Sequence, residues 1–141
     1  MTLFDYKHVL PIQIRFNDID KLNHLNNACY LTFFELGRVN YFNNIIKSSV
    51  NWDEMGFILA HTEINHIQPI YLNDEVYCYT KVIRLGSKSL TVKNAIAKKQ
   101  SNKLVICAEG TGVLVAMDFK NNLSIVIPLD WRKLIKEEEN I

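Results

Sequence analysis

The segment Phe16-Asn17-Asp18-Ile19-Asp20-Lys21-Leu22-Asn23-His24-Leu25-Asn26-Asn27-Ala28-Cys29-Tyr30 sets two acids, a histidine and several asparagines directly before a long apolar stretch. A carboxylate delivered to the positive end of a helix dipole can attack a polarised carbonyl, or activate water to attack it. A backbone N–H at a helix start is a fixed donor for the oxyanion that develops; loss of one such donor typically costs about 2.7–4 kcal/mol of transition-state stabilisation. A carboxylate suffices as nucleophile or general base when the leaving group is good, as a thiolate is. The segment therefore points to acyl chemistry. The competing reading is that Asp18 and Asp20 are ordinary turn acids binding the backbone.

The flanking elements must present that turn. Ile12, Ile14 and Phe16 alternate with Gln13 and Arg15, the period of a half-buried strand. From Ala28 to about Ile46 the chain reads as one helix without proline, with Asn26 suited to the N-cap. Leu31, Phe33, Phe34, Leu36, Val39, Tyr41, Phe42, Ile45 and Ile46 cover nearly its whole circumference, so the helix is expected to be buried and wrapped by a sheet. Glu35 and Arg38 lie three apart and are expected to pair on its surface. Strands follow: Phe57 to Gln68, ended by Pro69; Val76 to Ile83; Leu90 to Ile96 after the turn Gly86-Ser87-Lys88; and Leu104 to Met117. In the last of these, Gly110 and Gly112 invite a bulge or close packing. Ser101-Asn102 and Asn121-Asn122 read as turns, and Pro128 opens a short amphipathic C-terminal piece. One strand, one long helix and a run of strands joined by short turns give an α+β domain over residues 1–141, an antiparallel curved sheet around one helix.

Composition narrows the function. A formal net charge of +1 offers no basic surplus for nucleic acid and leaves self-association unopposed. The first residues show no basic region followed by an apolar run, and no stretch approaches the roughly 20 apolar residues that cross a bilayer, so a cytoplasmic protein without a membrane partner is expected. Cys29, Cys78 and Cys107 are widely spaced, odd in number and set among apolar neighbours, which reads as buried thiols rather than a metal or redox motif. His61 and His66 lack the helical His-Glu-x-x-His spacing and would point to opposite faces of a strand; no metal site is expected. Neither a Gly-x-Ser-x-Gly elbow nor a phosphate-binding glycine loop is present.

These residues, in this order, resemble the hotdog-fold acyl-CoA thioesterases, in particular the 4-hydroxybenzoyl-CoA thioesterase-like group. The resemblance is carried by Asp18-Ile19-Asp20, His24-Leu25-Asn26-Asn27 and Tyr30, then Phe34-Glu35 and Arg38. It continues through Glu63 to Ile70, Leu72-Asn73-Asp74-Glu75-Val76 and Arg84-Leu85-Gly86-Ser87-Lys88-Ser89-Leu90, covering roughly residues 8 to 135. It implies a hotdog fold, hydrolysis of an acyl-CoA thioester, and a place in lipid metabolism. Asp20 becomes the catalytic carboxylate, and the Asn27 backbone N–H the donor to the thioester oxygen. Coenzyme A enters as part of the substrate, with no separate cofactor. The family's usual assembly is a homodimer whose two sheets join, with sites at the subunit interface, and often a homotetramer as a dimer of dimers. The chain departs from the pattern at Asn23, where the family commonly has glycine. It departs again at Leu22, where related plant acyl-carrier-protein thioesterases have asparagine.

Within that frame His24 is a catalytic candidate that could bind Asp20, orient water or satisfy the loop. Asn26 and Tyr30 are candidates for substrate binding, Tyr30 as a wall of the acyl pocket, the alternatives being a helix cap and a packed aromatic. Arg84, Ser87, Lys88 and Ser89 are candidates for the phosphates of coenzyme A, the alternative being a solvated turn. Glu35 stands where a second branch of hotdog thioesterases places its carboxylate. Nucleophile and general base both suit Asp20, and coenzyme A and acyl carrier protein both suit as carriers. A hotdog hydratase or dehydratase using Asp20 with His24, and a non-catalytic acyl-CoA-binding module, are the competing functions.

Overall fold

A computed structural model describes residues 1–46 and 51–141. Its elements are β1 (His8–Ile12), α1 (Asn27–Ile45), β2 (Met55–His66), β3 (Val76–Leu85), β4 (Ser89–Gln100), β5 (Lys103–Asp118), β6 (Leu123–Ser124) and α2 (Leu129–Glu139). The main sheet runs β1-β3-β4-β5-β2, every pair antiparallel, with β6 added to β5. The expected α+β arrangement is present, one long helix lying on one curved sheet. β3, β4 and β5 follow one another through tight turns. β2, which precedes them, lies beyond β5 at the far edge.

The first strand lies earlier than its alternation suggests. It spans His8–Ile12, and Phe16, 81% exposed, instead opens a 3-10 turn. Pro11 is tolerated because β1 is an edge strand that pairs only with β3, so its missing N–H removes no bond from the sheet interior. The turn is favoured because the Asp18 carboxylate accepts the Arg15 N–H at 2.8 Å, which closes the backbone before a strand can extend.

α1 sits on the sheet through Tyr30, Phe33, Phe34, Gly37, Tyr41, Phe42 and Ile45. Gly37 permits the approach: a Cβ there would stand 2.5 Å from Thr80 Oγ1 and 2.6 Å from Cys78 Sγ. Gly110 serves the same purpose from β5, where a Cβ would overlap the Glu63 carbonyl oxygen and press on Phe34. The close packing expected at Gly110 and Gly112 is present, a Cβ on Gly112 standing 3.1 Å from Leu59 Cδ1; the close approach at Gly37 is not anticipated by the sequence. The expectation of a helix covered on all sides does not hold, because Leu31, Leu36 and Val39 are 43%, 46% and 51% exposed. The sheet reaches only one side of the helix, and the apolar residues of the other side face outward. Nor do Glu35 and Arg38 form the expected surface pair. Arg38 is buried, Glu35 is exposed, and no ion pair joins them among the described residues.

Two apolar clusters divide the core along α1. One gathers Ile12, Leu25, Tyr30, Phe34, Ile70, Val76 and Ile96 at the helix start. The other gathers Tyr41, Phe42, Val82, Leu90, Leu114, Trp131 and Ile135 at its end, where α2 packs. Glu139 fastens α2 in place, its carboxylate accepting the Tyr41 hydroxyl at 2.7 Å and the Val82 N–H at 3.1 Å.

Candidate active site

The chain between β1 and α1 is held by a lattice of short bonds centred on Asp18. This side chain is only 3% exposed, and Arg15 donates to it through Nη2 at 2.8 Å, through Nε at 3.2 and 3.3 Å, and through its backbone N–H. The hydrogen bonds from Arg15 hold the Asp18 carboxyl below its ordinary pKa, against the opposing effect of burial. Cys29 lies beside it, its thiol 3.8 Å from Oδ1 and pushed up chiefly by burial and then by the Asp18 charge. The Asp18 carbonyl accepts the Asn26 N–H at 2.8 Å, and Leu25 donates to the Ile70 carbonyl at 2.7 Å. Asp18 is thus the acid that shapes the turn.

Asp20 stands at the tip of that turn, half-buried. Its N–H donates to the His24 carbonyl at 2.9 Å, its carbonyl accepts the Asn23 N–H at 3.0 Å, and its Oδ1 accepts the Leu22 N–H at 2.9 Å. Its other carboxylate oxygen has no hydrogen-bond partner among the described residues. The loop closes through Asn23 at φ 63°, a left-handed conformation. Glycine enters that region freely, and asparagine is the best tolerated of the others, so Asn23 fits where the family commonly has glycine. Leu22, 71% exposed, contributes its backbone rather than its side chain.

Asn26 caps α1 as expected, its Oδ1 accepting the Ala28 N–H at 3.1 Å. Asn27 begins the helix, and its N–H donates to no described group. It is one of the unpaired donors that every helix start exposes. The His24 ring packs edge-on to Tyr71 with centroids 5.5 Å apart and makes no bond to Asp20 among the described residues. Tyr30 is 2% exposed and meets the His66 ring edge-on at 4.8 Å, its hydroxyl pushed up to about 12 by burial. It is a core aromatic in this chain. His61 lies beside Glu63 at 3.3 Å, and no cluster of His, Cys, Asp and Glu able to hold a metal occurs among the described residues.

Arg84, Ser87, Lys88 and Ser89 lie at the opposite end of the sheet. From Val76, beside the helix start, to Leu85 the strand climbs about 30 Å at about 3.3 Å per residue. The β3–β4 turn packs on α2: Arg132 Nη2 donates to the Ser87 carbonyl at 3.0 Å, and the Ile127 N–H donates to the same oxygen at 3.0 Å. One protomer therefore does not bring these residues to Asp20. The separation is a matter of strand length, which local motif spacing does not report.

The feature missed at the sequence level is a cleft of about 440 Å³ between α1, β2 and β5, lined by Glu35, Arg38, Val39, Phe42, Trp52 and Leu59 among others. Arg38 is 9% exposed there and makes neither hydrogen bond nor ion pair among the described residues. Burial pushes its guanidinium below its usual pKa. The signal available was an arginine inside an otherwise apolar helix face.

With the turn, the helix start and the sheet in view, comparison with known proteins decides the family. A profile of the thioesterase-like superfamily matches residues 14–135. The chain belongs to that superfamily. It is 24% identical over 129 residues to the long-chain acyl-CoA thioesterase FadM of Escherichia coli, a match covering 89% of this chain and 95% of that protein. It is 28% identical over 81 residues to the uncharacterized protein YsmA of Bacillus subtilis; that match takes in 57% of this chain and only 54% of YsmA. Among solved structures, a Thermus thermophilus thioesterase complexed with coenzyme A and Zn superposes with a TM-score of 0.83 at 30% identity, covering 97% of each chain. The resemblance read from the motifs is borne out, and with it the hotdog fold.

Proposed function

We propose that this chain hydrolyses an acyl-CoA thioester to a carboxylic acid and coenzyme A. Asp20 is the nucleophile or general base, and the Asn27 N–H polarises the thioester carbonyl. The observation that carries the mechanism is the juxtaposition at the helix start. A carboxylate with one uncommitted oxygen stands on a turn tied by Asn26 to the first turn of α1, where the Asn27 N–H has no partner among the described residues. Membership of the thioesterase-like superfamily and the likeness to an acyl-CoA thioesterase supply the substrate class.

In this reading water attacks the carbonyl carbon, with Asp20 accepting its proton, or the Asp20 carboxylate attacks first and water then cleaves the anhydride. In both, the oxyanion forms against the helix N-terminus and the thiolate of coenzyme A departs. His24 acts through its backbone, whose carbonyl holds the Asp20 N–H. A hydratase would require the His24 ring to share a proton path with Asp20; the ring instead packs on Tyr71, which favours hydrolysis. Arg84, Ser87, Lys88 and Ser89 serve coenzyme A only from a second copy, through a dimer whose sheets join.

The test is thiol release from short, medium, long and aromatic acyl-CoAs by the wild type and by Asp20→Asn. Turnover reduced a hundredfold or more in the variant, with substrate binding retained, supports the assignment. Equal turnover by both proteins rejects Asp20. Binding of acyl-CoA without turnover by the wild type makes the chain a binding module.

A further inference from the structure

We infer that Lys98 is a positioning residue for Asp20: its buried ammonium pins the β2–β3 connection at Pro69 and Asp74, and that connection holds the Asp20 turn through the Ile70 carbonyl. The inference rests on the proposed thioesterase reading for the reaction, and on this chain's own hydrogen bonds for the coupling.

Residues 67–75 join β2 to β3, and the strand order β1-β3-β4-β5-β2 takes them past β5 and β4. At the start of this connection the Ile67 and Gln68 N–H groups donate to the Cys107 carbonyl of β5 at 2.7 and 3.0 Å. At its end the Glu75 carbonyl accepts the Lys99 N–H of β4 at 2.9 Å. Between these anchors Pro69 has no N–H to offer. Among the described residues, the polar links from the sheet to residues 69–74 come from the Lys98 side chain alone. Its Nζ donates to the Pro69 carbonyl at 2.8 Å and lies 3.5 Å from Asp74 Oδ2, which itself accepts the Tyr71 N–H at 2.8 Å. The same Nζ stands 5.1 Å from the centre of the Tyr71 ring, within cation–π range. Lys98 is only 5% exposed, and a buried ammonium is costly even when paired. A methionine of like length would fill the space without that cost, but would leave the Pro69 carbonyl and the Asp74 carboxylate without their donor. What Lys98 contributes is position more than net stability.

The connection so held meets the Asp20 turn at two points. Ile70 follows Pro69 directly, is fully buried, and its carbonyl accepts the Leu25 N–H at 2.7 Å. Leu25 in turn bridges Ile19, while the neighbouring His24 carbonyl holds the Asp20 N–H, so the bond to Ile70 seats both flanks of Asp20. The second point is the Tyr71 ring, edge-on to His24 at 5.5 Å. The bonds of Asp18 fix the turn on its helix side, and the series Lys98, Pro69, Ile70, Leu25 fixes it on its sheet side. Loss of the ammonium frees Pro69 and Tyr71 and lets residues 19–25 shift relative to the Asn27 N–H. A displacement of about 1 Å at a reacting centre can cost about a hundredfold in rate.

The experiment compares the full chain as wild type, Lys98→Met, Asp74→Ala and Lys99→Met by amide hydrogen exchange without substrate, and by kcat and KM on acyl-CoA. Lys98→Met should speed exchange at the Leu25 amide about tenfold or more relative to the amides between β4 and β5. It should lower kcat about tenfold or more while KM stays within about twofold. Asp74→Ala should shift both readings in the same direction by less. Lys99→Met removes the same charge from the adjacent, half-exposed position and should leave both as in the wild type. Exchange that rises equally at all amides in Lys98→Met means a contribution to stability only and overturns the inference. So does a wild-type kcat despite faster exchange at Leu25. A raised KM with kcat kept, or an equal effect from Lys99→Met, also overturns it, since the charge would then serve coenzyme A. If Lys98→Met does not fold, Asp74→Ala decides: unchanged Leu25 exchange or unchanged kcat rejects the coupling. A wild type that turns over no acyl-CoA rejects the thioesterase reading, and the Leu25 amide then judges the coupling by itself.

Discussion

The carbonyl of Asp18 accepts the backbone N–H of Asn26 at 2.8 Å, joining the base of the acidic turn to the cap of α1. Because the Asp18 side chain is at the same time gripped by Arg15, one residue ties the turn to the helix start. The geometry between Asp20 and the Asn27 N–H is therefore set by a residue that need not touch substrate.

Replacement of Asp18 should expose that dependence. Asp18→Ala removes an acceptor of several charge-assisted bonds, each worth about 1.5–3 kcal/mol, and should lower stability by about 2–3 kcal/mol in urea unfolding. Arg15→Ala should cost less than Asp18→Ala, because the Arg15 side chain is 75% exposed and the Arg15 backbone N–H still binds the Asp18 carboxylate. A larger effect from Arg15 than from Asp18 would show that the carboxylate finds other partners.

The same pair predicts an acid limb. The folded-state pKa of Asp18 is lowered, so its contribution is fully present above the unfolded value, about 3.9, and is lost as pH falls through the folded value. Wild-type stability measured from pH 6 down to pH 2 should fall below about pH 4. Asp18→Asn should flatten part of that fall, and an unchanged slope would remove Asp18 from the acid transition.

The helix–sheet contact gives two graded variants. Gly37→Ala improves helix propensity by about 1 kcal/mol, yet its Cβ would meet Thr80 Oγ1 and Cys78 Sγ, both on buried residues. Overpacking of about 1–3 kcal/mol should win, giving a net loss. Gly110→Ala should cost more, because the obstacle is the backbone carbonyl of Glu63 rather than a side chain. Thermal unfolding of both variants orders them, and a Gly110→Ala protein as stable as the wild type would mean that β2 shifts freely along β5.

Much of this architecture could be read locally, and the parts that could not are those fixed by distant contacts. The Asn26 cap and the extent of α1 depend on residues within one turn of each other, so side-chain chemistry alone located them. The turns at Ser101-Asn102 and Asn122 were legible for the same reason, since all three residues take positive φ. The first strand slipped because alternation continues past Ile12, while the bond from Arg15 to Asp18 that ends the strand is invisible to periodicity. β2 pairs with β5 across the intervening hairpin, and no local signal distinguishes that edge position from a central one. Spacing brought Glu35 and Arg38 to one helix face but said nothing of which would be buried. At the site, residue types identified the turn, whereas the length of β3 decided that the Arg84 hairpin lies far from it.

Asn23 offers the most specific test of the turn. At φ 63° an ordinary L-residue pays roughly 1–2 kcal/mol, asparagine less, and glycine nothing. Asn23→Gly should therefore be close to neutral in stability and keep full thioesterase turnover. Asn23→Ala should lose about 1 kcal/mol, and Asn23→Val more, because branching at Cβ worsens the left-handed conformation. The Asn23 N–H binds the Asp20 carbonyl, so strain relieved at residue 23 displaces the Asp20 carboxylate proposed to act on the thioester. kcat should fall through the series Gly, Ala, Val while KM changes little. A series in which KM rises and kcat holds would place this loop at substrate entry and not at the reacting carbonyl.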